Sequence, residues 1–138
     1  MSRILGDLAM GAAFFAALSR DVVKGEKAGL EKAAVIVETE AKRVMGTYDL
    51  GWPALKPETI ARKATGDSPL LETGAMRESI EHEVHGRSAF IGTDSQIAVY
   101  HDKGTSKMPP RPFLLESALR KEHEICEAVG DAIIRKLP

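Results

Sequence analysis

Apolar residues recur at three- and four-residue steps over two stretches of the N-terminal third. In residues 4–18, Leu5, Leu8, Ala12, Phe15 and the following Ala16 keep that step, the period of one helix face. Gly6 and Gly11 weaken this first helix, because each is worth ~1 kcal/mol less than alanine in a helix interior. Residues 20–29 are polar and contain Gly25 and Gly29, which predicts a break or frayed turn. The second stripe is stronger: Leu30, Ala33, Ala34, Val37, Ala41, Val44 and Met45 share one face. Glu31, Lys32, Glu38 and Lys42 take the other faces, with Glu38 and Lys42 a favourable i,i+4 pair. Gly46 stands where a helix stop belongs.

The pattern then turns irregular over residues 47–69. Gly51-Trp52-Pro53 opens a loop anchored by Trp52 and Leu55. Pro57 suits the first turn of a short helix through Ile60 and Lys63, and Gly66-Asp67-Ser68-Pro69 is turn chemistry. Thr73 is placed to cap a brief helical turn reaching Arg77. Two strands follow, over 79–85 and 88–93, joined at Gly86-Arg87. Ile80, His82 and Val84 lie on one face of the first. Residues 97–101 form a third apolar run, fitting either a strand or a helical turn. Residues 103–107 are a loop. Residues 108–112 must be extended, since prolines push their predecessors out of the helical region. One long helix is predicted over 114–137, with Leu115, Leu119, Cys126, Val129, Ile133 and Leu137 on one side.

The chain has 138 residues, which fits one domain, 1–138, with residues 1–28 as an N-terminal helical extension. Lys plus Arg is 19 and Asp plus Glu is 20, a net charge of −1. That balance disfavours a general nucleic-acid binder, which carries a basic excess. It also weakens the case for binding an acidic membrane. A lone cysteine, Cys126, excludes an intramolecular disulfide and suits a reducing compartment. The segment 4–18 is apolar, but Asp7 interrupts it and no small-x-small site precedes Arg20, so neither a cleaved signal nor a membrane span is expected.

Candidate chemistry is sparse. No dinucleotide or phosphate-loop fingerprint is present, and Gly104-Thr105-Ser106-Lys107 has the wrong glycine spacing. His82 and His85 are three apart on a strand and so face opposite ways; they read as exposed histidines on a half-solvated hairpin. His123 and Cys126 sit one turn apart, but two ligands do not make a zinc site, and Cys126 reads as a small buried hydrophobe. His101 with Asp102 forms a candidate acid–base pair, which with Glu72 is what a small hydrolase would use, but no nucleophile is signalled nearby and adjacent residues rarely face each other. Arg111 and Phe113 lie in a rigid proline segment that suits an interface, where little ordering entropy is lost. The other reading of Phe113 is that it packs this segment onto its own domain.

The succession of segments carries more than any one of them. Trp52-Pro53-Ala54-Leu55 is followed by Thr59-Ile60, Lys63 and then Leu71-Glu72-Thr73-Gly74-Ala75-Met76-Arg77-Glu78-Ser79-Ile80. Ile91-Gly92-Thr93, Val99-Tyr100-His101, Gly104-Thr105 and Met108-Pro109-Pro110-Arg111-Pro112-Phe113-Leu114 complete it. In this order the chain resembles the neck and tail-completion proteins of tailed bacteriophages, also called virion morphogenesis or minor tail proteins. The resemblance spans residues 30–137. Lys103 departs from it, because an aromatic or acidic residue is usual there, and the helix over 4–18 has no counterpart.

The resemblance implies a structural role in a virion or phage-like particle, whether phage, prophage or gene transfer agent. Such proteins form a ring at the head–tail junction and complete or join the tail, and the host cytoplasm is the place of assembly. The implied partners are further copies of the chain, the head connector or stopper, and the tail tube or terminator. No cofactor, metal, membrane or specific nucleic acid is implied, although the position at the head–tail junction implies a ring through which DNA can pass. A head-to-tail contact closes into such a ring when its rotation allows. The interface residues expected are Met108, Arg111, Phe113, Tyr100 and Arg77. A tail terminator ring is the nearest alternative, then a small hydrolase or a bacterial protein-binding module. The expected fold is α+β: a small, mainly antiparallel sheet from residues 80–101 on two long helices, with an extra N-terminal helix.

Overall fold

The computed structural model describes residues 2–137, with side chains from residue 16 onward and at residue 13. The fold is α+β, and its backbone is one long helix, α1 (Ser2–Val44), 43 residues in length. The two N-terminal helices expected from the sequence are therefore continuous, and no break occurs at 20–29. The stripe through Leu5, Leu8, Ala12 and Phe15 lies outside the described side chains.

Gly25 and Gly29 explain the difference. The C-terminal helix α6 (Glu122–Lys136) crosses α1 at these two positions. A Cβ on Gly25 would stand 2.6 Å from the Ile133 Cα, and one on Gly29 would stand 2.7 Å from the Val129 Cα. Both contacts are with backbone, so nothing could yield. As the residue number rises along α1 it falls along α6, so the two helices are antiparallel. The glycines are the residues that allow the approach, and the packing outweighs their low helix propensity.

The apolar stripe of the second half of α1 is buried as expected. Ala33, Ala34, Val37, Ala41, Val44 and Met45 all lie within the core. Gly46 ends the helix with φ of 87°, and the Leu71 side chain packs against it. Glu40 is the surprise on this face, at 4% exposure. Arg43 neutralises it through bonds of 2.7 and 2.9 Å, and Lys121 stands 3.9 Å away. The Arg43 hydrogen bonds outweigh burial and hold the Glu40 carboxyl below its ordinary value.

After α1 the chain wraps its C-terminal end. Short helices α2 (Pro57–Arg62) and α3 (Ala75–Glu78) are joined through Leu70, which takes φ of 63° while its side chain enters the core. The helical cap before α3 is Gly74, and Thr73 Oγ1 accepts the Ala75 N–H at 3.3 Å. Strands β1 (Glu81–His85) and β2 (Ser88–Gly92) pair antiparallel, with Glu83 opposite Phe90. Gly86 supplies the positive φ of their turn.

Two corrections concern the C-terminal half. The run 97–101 is helical, within α4 (Gln96–Lys103), so the sheet among the described residues has two strands only. The long final helix is interrupted at Lys121, giving α5 (Leu114–Arg120) and then α6. The expected stripe is only partly inward, with Val129 and Ile133 against α1. Ser117 and Ala132 are buried, while Leu115, Leu119, Leu137 and Cys126 are exposed. The core joins Trp52, Leu70, Ile80, Ala98 and Phe113 to the last turns of α1.

Candidate functional site

The segment 104–113 carries most of the residues that the sequence singles out, and it is laced into the fold at both ends. Gly104 takes φ of 75°, and a Cβ there would lie 2.7 Å from the Pro110 nitrogen. Thr105 and Met108 close a tight turn through a 2.9 Å backbone bond. The Arg111 N–H then donates to the His101 carbonyl at 2.7 Å, at the end of α4. The Trp52 indole N–H donates to the Pro112 carbonyl at 2.9 Å. The Phe113 N–H reaches Asp102 Oδ1 at 3.3 Å.

Of the five expected interface residues, Phe113 is fully buried. It packs the proline segment onto its own domain, which decides between the two readings of this residue. Arg111 is 5% exposed. Its Nη2 donates to the Pro53 carbonyl at 3.0 Å, and its Nε is buried with no hydrogen-bond partner among the described residues. Neither residue presents a free surface in the isolated chain. Tyr100 is exposed on α4, and Met108 and Arg77 are half-buried. Arg77 lies 3.9 Å from Glu78.

Met108 and Arg111 do come together, on the wall of an open cleft of about 890 Å³. Its other walls are α2, the segment 70–76 and the face of α4 that carries Ile97 and His101. Its charge is one-sided: Lys56, Arg62, Lys63, Lys107 and Arg111 line it, against Glu72 alone. None of these five cations lies within 4.0 Å of a carboxylate among the described residues; the ion pairs of the molecule are elsewhere. Lys63 Nζ is held by the Ser68 carbonyl at 2.7 Å, and burial lowers its affinity for the proton. His101 is half-buried at the same wall. Burial first, then the nearby charges of Arg111 and Lys63, hold its imidazole below the ordinary histidine value. Its Nδ1 has no hydrogen-bond partner among the described residues, and the Asp102 carboxylate accepts from the Phe113 N–H. A relay from His101 Nδ1 to Asp102 is therefore not formed.

Sequence reasoning missed this cleft because its cations come from three separate segments, at 56–63, 107 and 111. The only local signal is the density of Lys and Arg over 56–63.

The hairpin histidines are also placed differently from the expectation. His85 is exposed and pairs with Glu83 at 2.6 Å. His82 is instead clamped between two carboxylates of α1, with Nδ1 2.5 Å from Glu38 and Nε2 2.6 Å from Glu31. Arg87 at the hairpin turn adds Glu26 at 3.0 Å. The hairpin is thus tied along the acidic face of α1. These are structural ties, and no three His, Cys, Asp or Glu side chains among the described residues converge as a metal site. No helix of the described residues is long and apolar enough to cross a membrane.

No protein-family model, curated protein or solved structure matches the chain.

Proposed function

We propose that the chain is a structural subunit of a phage or phage-like particle. It forms a ring at the head–tail junction that completes or joins the tail, and it acts by assembling, not by transforming a molecule. The adhesive part of this reading is carried by one observation, the large apolar side chains left outside a closed core. On α5, Leu115 is 65% and Leu119 54% exposed; on α4, Ile97 is 61% and Tyr100 48% exposed. Leu115 and Leu119 are four apart and share a helix face. Such pairs of aliphatic and aromatic side chains are what an interface core uses. The location in the particle is supported by the order of segments from Trp52 to Leu114, which resembles that of neck and tail-completion proteins.

The test is genetic and visual. Deleting the coding gene from the phage or prophage should leave filled heads and free tails that do not join, seen by electron microscopy. Restoring it should restore joined particles, with density for the chain at the neck. Normal infectious particles formed without the chain would remove the proposal. Density at the far end of the tail tube would replace it with a terminator role.

A further inference from the structure

The cleft beneath Arg111 has a feature that the fold alone does not need. Arg111 is a buried cation whose guanidinium, among the described residues, hydrogen-bonds only a neutral carbonyl, that of Pro53. The Lys63 ammonium beside it is likewise bonded to a carbonyl, and Lys56, Arg62 and Lys107 ring the opening with no carboxylate within 4.0 Å among the described residues, Glu72 being the one acidic residue of the lining. The lining surplus is opposite in sign to the net charge of −1 for the whole chain. A buried charge without a paired counter-ion is strongly unfavourable, and an anion entering the cleft would give Arg111 one.

The rest of the lining identifies the anion. Leu55, Met76, Ile97 and Met108 line the cleft together with the cations, and the lining has no Phe, Tyr or Trp, its one ring being the half-buried imidazole of His101. Single-stranded nucleic acid is held by successive bases stacked on aromatic side chains as well as by phosphate contacts, and the lining offers a single half-buried ring, His101, for that. Carboxylates spaced by aliphatic side chains match both parts of the lining.

We propose that this cleft receives an acidic, partly aliphatic peptide segment of a partner protein, with carboxylates seated against Arg111 and Lys63. The binding property stands on the cleft. That the segment belongs to an adjacent particle subunit rests on the assembly reading above.

The experiment is fluorescence anisotropy on the full chain with three labelled probes. These are an octapeptide alternating glutamate and leucine, its lysine–leucine counterpart, and a short deoxythymidine oligonucleotide. The glutamate peptide should bind saturably, the lysine peptide should not, and the oligonucleotide should bind more weakly. The double variant Arg62→Glu with Lys107→Glu changes exposed side chains that make no ion pair. It should weaken peptide binding about tenfold or more while its thermal unfolding stays that of the parent. The second readout is the imidazole resonance of His101, which faces Arg111 and Lys63. With a carboxylate between those cations, His101 should titrate at higher pH in the complex than in the free chain. Failure of the glutamate peptide to bind, equal binding by the double variant, or tighter binding of the oligonucleotide would each overturn the proposal. Particle assembly that fails on gene deletion while the purified chain ignores the peptide would spare the neck role and dismiss the cleft. The reverse pair of results would do the opposite.

Discussion

Two histidines sit in environments of opposite electrostatic sign, and their effects on stability must oppose each other. His82 hydrogen-bonds Glu31 first and Glu38 second, and these outweigh burial to raise its pKa above 6.5. Lys42, paired with Glu38 at 3.1 Å, is the other charge at this point. A raised native value means that the folded chain holds the proton more tightly than the unfolded chain. The stabilisation from His82 is therefore full below 6.5 and fades as the pH rises through its higher native value. His101 has the reverse shift, caused by burial and then by Arg111 and Lys63. It is without effect above 6.5 and removes stability as the pH falls below that value, because the unfolded chain takes up the proton first. Urea midpoints measured across about pH 5 to 9 should separate them. The deficit of His82→Gln against the parent should shrink as the pH rises. Any gain from His101→Gln should grow as the pH falls below neutrality. Differences that do not change with pH would refute both assignments. The hairpin pattern in the sequence put His82 on one face with Ile80 and Val84, yet it was read as exposed, whereas its side chain is 22% exposed. What it could not show was that two carboxylates some fifty positions earlier wait on the opposing helix.

At the scale of elements, the glycines make the sharpest test. Gly29 and Gly130 both lie in helices, α1 and α6, and propensity alone predicts that alanine improves each by up to ~1 kcal/mol. Their surroundings differ. Gly29 abuts the Val129 backbone at 2.7 Å, whereas nothing lies within 4 Å of a Cβ at Gly130. Gly130→Ala should raise the melting temperature. Gly29→Ala should lower it, because overpacking against backbone costs ~1–3 kcal/mol and outweighs the propensity gain. If both substitutions stabilise, α1 and α6 do not cross at Gly29. The same contrast shows why element existence was legible and element limits were not. Period and caps located the stripe at 33–45, the Pro57 turn and the Gly86 hairpin, since each is a local property. Gly25 and Gly29 read as breakers because a close helix crossing and a chain break use the same residue. The run 97–101 fitted two periods at once; it is helical, with its end bonded to a distant segment through the Arg111 N–H and the His101 carbonyl. The same distance argument covers Phe113, whose burial depends on Trp52 and α1. It covers Cys126 too, which is exposed although Val129 and Ile133 of the same helix meet α1.

At the scale of the molecule, one helix serves as a spine, and the remaining elements gather along its second half. The hairpin is pinned to its acidic face, α6 to its glycine face, and the 52–113 core to its C-terminal end. The fold thereby leaves two surfaces of contrasting character, a cationic cleft walled by α2 and the 107–111 segment, and the aliphatic outer face of α5. If the latter is an adhesive surface, it must act without contributing to the fold of the single chain. Leu115→Glu combined with Leu119→Glu should then leave thermal unfolding close to the parent, because both side chains are more than half exposed. Exposed substitutions away from special features change stability by no more than ~0.5 kcal/mol. Association should respond quite differently. A charge forced into an interface core must be desolvated, and without a partner it is strongly opposed. Sedimentation over a concentration series should show the parent gaining mass, while the double variant stays at the mass of one chain. A parent that associates equally well with both glutamates present would place its contact elsewhere. A variant that unfolds at much lower temperature would show that these leucines belong to the core of the free subunit.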